Sequence, residues 1–396
     1  MATVLAERTV ENAASTAGRL ESIDLLRGVV MVLMAIDHVR VYFTIARFDP
    51  VSWADSTPEY FVTRWITHFV APTFVLLAGT AAFLYGRRSE AALPRFLWTR
   101  GLWLVAVEMT FVHFGWTYDL NFGVMAAQVI WAIGWSMVAL SFLVRLGPVA
   151  TGAIGLGIVA LHNLADPLVP SDFGSLGPLW VLLHEGGVIP LGPGAMILAF
   201  YPVLPWIGVI AAGYGFGQVF LWDGERRARV LPIVGLGMVA LFFVLRGAQV
   251  YGDADGWADR GDLARTAMDF MAVTKYPPSF LFILATLGPV VAALPLLERA
   301  KGRAAAFFVT LGRVPLFYYV VHLILIHGLA IVFANLSGFT GLRVVSIPQF
   351  TFPEGYGWDL PVVYLVTAGV VLLLYPFCAW FADLKRRRRD WWLSYL

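Results

Sequence analysis

Apolar runs long enough to cross a bilayer alternate with short polar connections along nearly the whole chain, and that alternation sets the fold class. A spanning helix needs about 20 mainly apolar residues. Such runs lie near residues 23–45, 61–86, 99–117, 123–144, 148–165, 198–221, 230–246, 278–297, 305–334 and 361–384. The pattern predicts an all-α, polytopic transmembrane helical bundle of about ten spanning helices. Residues 1–20 read as a polar cytoplasmic segment, 21–384 as one transmembrane domain and 385–396 as a basic cytoplasmic tail. No internal repeat of the kind found in many transporters is visible.

The connections sort by charge. Arg87, Arg88, Arg95 and Arg100, then Arg145, then Arg226, Arg227 and Arg229, then Arg299, Lys301 and Arg303 fall on alternate connections, and the block Lys385–Arg389 follows the last run. The other connections carry Asp49, Asp55, Glu59, Asp119, Asp166, Asp172, Glu185 and the Asp253–Asp262 group. Positive charge stays on the cytoplasmic side, so both termini are expected there, in a bacterial plasma membrane. Two outer connections are long. Residues 166–197 are crowded with proline and glycine and predict a lid or re-entrant cap over a cavity. Residues 247–276 mix both charge signs and read as a solvated loop.

Composition supports the membrane reading. The chain is 59% hydrophobic and 14% charged, whereas a soluble domain carries about 25% charged residues. A net charge of +2 excludes a nucleic-acid footprint. The lone Cys378 excludes an internal disulfide and a thiolate metal cluster. Residues 1–20 lack the short apolar core of a removable leader, so the first helix is expected to be retained.

Against this background the intramembrane polar residues stand out, because a charge at a helix centre costs about 2.5–3.5 kcal/mol on insertion scales. Asp24 and Arg27 are spaced to pair on one face of the first helix, and Asp37 and His38 lie near its outer end. Arg64 and His68 share a face of the second, just before the kink expected at Pro72. Glu108 falls mid-span in the third helix, and Arg313, Tyr318, Tyr319 and His322 fall in the ninth. All seven histidines lie in the outer half of the bundle under this topology, which suggests chemistry or proton handling there. No histidine pair with an adjoining carboxylate has metal-site spacing, and no metal is expected. The residues alone leave two classes open: a histidine-assisted enzyme, and a proton-coupled transporter or exporter relaying protons through Asp, Glu and His.

Three stretches favour the first class. Glu-Ser-Ile-Asp-Leu-Leu-Arg-Gly from Glu21 to Gly28 leads into Asp37-His38. Trp65-Ile-Thr-His68-Phe-Val-Ala-Pro72 leads to Leu77-Ala-Gly79-Thr. Tyr201-Pro-Val-Leu-Pro-Trp206-Ile-Gly208 leads to Gly213-Tyr-Gly-Phe-Gly217. The chain from residue 20 onward thereby resembles the transmembrane acyltransferase family that includes heparan-α-glucosaminide N-acetyltransferase, and more closely its bacterial branch. The resemblance implies an acetyl-CoA-dependent acyltransferase that moves an acetyl, or another short acyl group, from the cytosol to an amine or hydroxyl of an extracytoplasmic glycan. It implies a catalytic histidine near the non-cytosolic end, for which His38 and His68 are the matching positions, with Asp37 beside them. Arg87, Arg88, Arg95 and Arg313 are the expected partners of the CoA phosphates, on charge alone. Asp24, Arg27, Arg64, Glu108 and His322 are expected to support the site. Expected partners are membrane lipid, acyl-CoA and the glycan acceptor, with a homodimer as an allowed assembly.

Overall fold

The computed structural model describes residues 2–339, 343–344, 350–388 and 390–395; Arg389 of the expected basic block lies outside them. Among these described residues fifteen α-helices run in chain order: α1 (Ala2–Phe43), α2 (Pro58–Ile66), α3 (Val70–Gly86), α4 (Leu93–Val107), α5 (His113–Thr117), α6 (Val129–Leu143), α7 (Gly147–Leu161), α8 (Gly177–Trp180), α9 (Val203–Phe216), α10 (Gly224–Ala248), α11 (Leu263–Met271), α12 (Phe280–Arg299), α13 (Arg303–Gly312), α14 (Pro315–Leu336) and α15 (Leu360–Arg387). The described residues also form five short strands: β1 (Val124–Ala127), β2 (Gly187–Gly192), β3 (Ala195–Ala199), β4 (Arg343–Val344) and β5 (Phe350–Thr351). The protein is an all-α polytopic membrane bundle.

Seven helical runs among the described residues are long and apolar enough to cross a bilayer. One of them, Val129–Ala165, holds two of the expected segments, α6 and α7. They part at Gly147, whose φ of +82° is a conformation in which a side chain would be strained. α1 and the α4–α5 rod also coincide with expected segments, and both carry the charges noted above. The segment expected at 305–334 is instead two helices, α13 and α14. Pro315 opens the second, and its ring keeps Val314 out of helical geometry (φ −132°, ψ 50°). The segment expected from residue 123 starts as β1, not helix. Extended backbone at that depth is tolerated because β1 pairs in parallel with β3, and β3 pairs with β2.

The two long connections are built, not loose. Residues 166–197 fold into 3-10 and π turns, α8 and the β2–β3 hairpin. The 247–276 connection is no simple solvated loop. Buried Arg246 donates to the carbonyls of Asp269, Phe270 and Ala272 at 2.8–3.0 Å. Asp253 accepts from the Thr274 amide and hydroxyl and from the Ser279 hydroxyl at 2.7–2.9 Å. These bonds satisfy the loop backbone, so it closes over the bundle end instead of seeking water.

Helix crossings are set by glycine. A Cβ on Gly28 would lie 1.9 Å from the Phe308 carbonyl oxygen, and one on Gly312 would lie 1.8 Å from that of Asp24. α1 and α13 therefore touch backbone to backbone. Gly28→Ala is expected to part them and destabilise the bundle by about 1–3 kcal/mol, read as a lower unfolding temperature in detergent. An unchanged midpoint would mean that the crossing is not as tight as described.

Candidate active site

A cavity of about 500 Å³ runs through the bundle beside α1. Arg27 and Arg40 both line it, and at about 1.5 Å per residue they stand roughly 20 Å apart along the helix. The cavity therefore covers much of a hydrocarbon core roughly 30 Å thick.

His38 lines its upper part. The ring stacks on His322, with centroids 4.9 Å apart, and Trp116 meets it edge-on at 5.0 Å. His38 Nδ1 lies 2.7 Å from His322 Nε2, and His322 Nδ1 lies 2.9 Å from the Tyr318 carbonyl oxygen. A carbonyl can only accept, so His322 Nδ1 carries the proton and, in the neutral ring, Nε2 is an acceptor. His38 must then donate from Nδ1, which leaves its Nε2 lone pair as the basic nitrogen. One backbone carbonyl thus fixes the tautomer of two rings.

Asp37 faces a different set of groups. It accepts from Arg40 at 3.0 Å and from Arg64 at 2.5 Å, and hydrogen-bonds neither His38 nor His68. Arg64 also donates to the Thr67 hydroxyl at 3.2 Å. Lys275 and Tyr276, from the segment before α12, and Tyr201, just after β3, line the same region. Three cations surround one carboxylate here. Burial, then Arg64 beside it, pulls the Lys275 ammonium below its usual value. Burial pushes the Tyr276 phenol up, but Lys275 and Arg64 outweigh it and hold the phenol below its usual range.

The other end of the cavity is lined by Arg27, Arg100, Arg313 and Lys385, with the rings of Tyr85 and Phe96. Arg27 pairs with Asp24 at 3.1 Å, and Arg313 stands 3.8 Å from both Asp24 and Glu21. Of the arginines expected on the CoA phosphates, only Arg313 lines the cavity. Arg87, Arg88 and Arg95 are exposed and lie outside its lining.

His68 is buried against Phe282, with ring centroids 5.4 Å apart, and is not among the lining residues. Its Nδ1 has no hydrogen-bond partner among the described residues. The structure brings His38 together with His322 rather than with His68. Glu108 is buried at the head of α6, where its carboxylate accepts the Trp131 amide at 3.1 Å. It thus satisfies one of the amides a helix start leaves open. His113 and His327 contact backbone carbonyls of Asn121 and Gly115, and His162 and His184 lie together elsewhere. Arg40, Arg100, Tyr201, Lys275, Tyr276 and Lys385 were not identified as site groups from sequence. The charges of Arg40, Arg100, Lys275 and Lys385 sit at helix ends or in connections, where a solvated position is the ordinary expectation.

The heparan-alpha-glucosaminide N-acetyltransferase catalytic family model matches residues 19–247, more than half of the chain. The chain belongs to that family. No curated protein matches it. Membership in the N-acetyltransferase family makes this an integral membrane acyltransferase. The matched region carries Arg27, Asp37, His38, Arg40, Arg64, Arg100 and Tyr201. Lys275, Tyr276, Arg313, His322 and Lys385 lie beyond it and reach the same cavity or, for His322, the His38 ring.

Proposed function

We propose that the protein takes an acetyl or other short acyl group from acyl-CoA at the Arg27–Arg100 end of the cavity and passes it to an amine or hydroxyl of a glycan at the Asp37 end, with His38 as the base. The observation that carries this reading is the Tyr318–His322–His38 hydrogen-bond chain, which leaves Nε2 as the acceptor nitrogen of His38, a ring that lines a cavity with a cationic cluster at each end. Four cations at one end suit the phosphates of CoA. The surplus positive charge around Asp37 suits the oxyanion that develops on the thioester carbonyl, and acidic groups of a glycan.

In the step itself the acceptor nitrogen or oxygen attacks the thioester carbonyl carbon and its proton passes to His38 Nε2. The carbon–sulfur bond breaks, and the thiolate leaves with that proton as free CoA. A covalent route would use the same nitrogen as nucleophile, holding the acyl group on His38 before the acceptor arrives. Both routes are tested by incubating the purified protein in detergent with acetyl-labelled acetyl-CoA, with and without glucosamine. CoA release with labelled glucosamine supports transfer, label held on protein without acceptor selects the covalent route, and no release with either would remove the proposal.

The donor end makes a separate prediction. Arg100→Ala is expected to raise the KM for acetyl-CoA by about 10–100-fold, the worth of a charge-assisted contact of about 1.5–3 kcal/mol. Arg87→Ala is expected to leave it unchanged. Equal effects of the two changes, in the same assay, would place the CoA phosphates outside this cavity.

A further inference from the structure

One cluster of metal-ligating groups has no part in this chemistry. His162 opens the 3-10 turn after α7, Asp166 caps that turn, and His184 belongs to the π turn Val181–Glu185. One nitrogen of each ring and a carboxylate oxygen of Asp166 all lie within 4.8 Å of one another. His184 Nε2 is 3.0 Å from Asp166 Oδ1, and Asn163 Nδ2 donates to Oδ2 of the same carboxylate at 2.9 Å. His162 is 5% exposed and His184 1%. Yet neither ring nitrogen of His162, nor Nδ1 of His184, has a hydrogen-bond partner among the described residues. Buried imidazole nitrogens without partners are unfavourable, and here they gather around a carboxylate already oriented by an amide.

We propose that His162, Asp166 and His184 bind a zinc ion that fastens the 166–199 connection to the end of α7. Two imidazoles and a carboxylate are ligands that zinc accepts, with water as the fourth. Ligand atoms at about 2.0–2.2 Å in tetrahedral array stand roughly 3.3–3.5 Å apart, so small side-chain rotations close the set. Asn163 fixes the carboxylate, as an outer hydrogen-bond partner does in metal sites. The same Asn163 accepts the Phe280 amide at 2.8 Å through Oδ1, four residues after Tyr276. The connection that carries His184 continues through β3 to Tyr201. The ion therefore holds the two chain segments that deliver Tyr201 and Tyr276 to the cavity, and its role is positional. Spacing along the chain does not reveal this set, because the third ligand arrives from a turn eighteen residues beyond Asp166.

The test uses the full-length protein in detergent, stripped with a chelator and then given zinc. Elemental analysis is expected to return one zinc per chain. His184→Ala and Asp166→Asn are expected to lose it, and Asn163→Ala to weaken it by about 10–100-fold. Cobalt in place of zinc is expected to give wild type the visible band of a four-coordinate ion. It should also quench Trp180, whose ring lies 4.9 Å from that of His184. The wild-type titration stands even where a variant fails to fold. No cobalt band, or the same trace of zinc in wild type and a folded His184→Ala protein, would overturn the site and leave a histidine–aspartate hydrogen bond. These readouts are independent of acyl transfer, so this site and the proposed activity stand or fall separately.

Discussion

His38→Ala is expected to lower turnover of acetyl-CoA with acceptor by about 10²–10⁴-fold, the usual contribution of a positioned general base. The KM for acetyl-CoA should change little, because the cations proposed for the phosphates lie at the far end of the cavity, at Arg27, Arg100, Arg313 and Lys385. His322→Phe is expected to lose part of the same factor. It keeps a ring against His38 but removes the acceptor that holds Nδ1–H, so the tautomer is no longer fixed. His68→Ala should have a much smaller effect, since His68 packs on Phe282 outside the cavity lining. Steady-state kinetics on the three variants decides the matter. If His68→Ala removes activity and His38→Ala keeps it, the base has been assigned to the wrong ring.

The second large effect concerns stability. Among the described residues Asp37 is the only carboxylate lining the cavity, and it is wedged between Arg40 and Arg64, with side-chain exposures of 18%, 11% and 13%. Removing one member of a buried ion cluster strands the others and costs about 3–5 kcal/mol. Asp37→Asn is expected to destabilise the bundle by that order, seen as a much lower unfolding temperature in detergent. Adding Arg64→Gln should recover part of the loss, because the surplus charge goes with it. A single variant as stable as wild type would mean that water, not the carboxylate, neutralises the two guanidinium groups.

The fold was largely legible because a bilayer imposes one length on apolar runs and one sign on short connections. What escaped that logic is local. Pro315 divides one expected helix into α13 and α14, and β1 occupies the start of another because β3 arrives to satisfy its backbone. The family-like stretches proved to mix two roles. Asp37, His38 and Tyr201 line the cavity. Gly79 and Gly213 instead let α3 and α9 touch, since a Cβ would lie 2.0 and 2.3 Å from carbonyl oxygens across the crossing. His38 was legible as an intramembrane histidine, but its partner was not. A bundle apolar on most faces gives no periodic signal for which helices meet, so His322, distant in sequence, could not be paired with it. Lys275 and Tyr276 were hidden for another reason. They sit in a connection whose charges read as solvated, and hydrogen bonds from Arg246, to Asp253 and from Trp65 to the Met271 carbonyl turn that connection inward.

The central claim is that the acyl group crosses the bundle through this cavity, and sealed proteoliposomes test it directly. Acetyl-labelled acetyl-CoA is supplied outside only, with an amino-sugar acceptor trapped inside. Labelled acceptor inside the vesicles, with free CoA remaining outside, is the expected result, and it should need no ion gradient. Transfer in detergent without any labelling of the trapped acceptor would contradict passage through the cavity, and uptake that depends on a proton gradient without CoA release would favour a transporter instead.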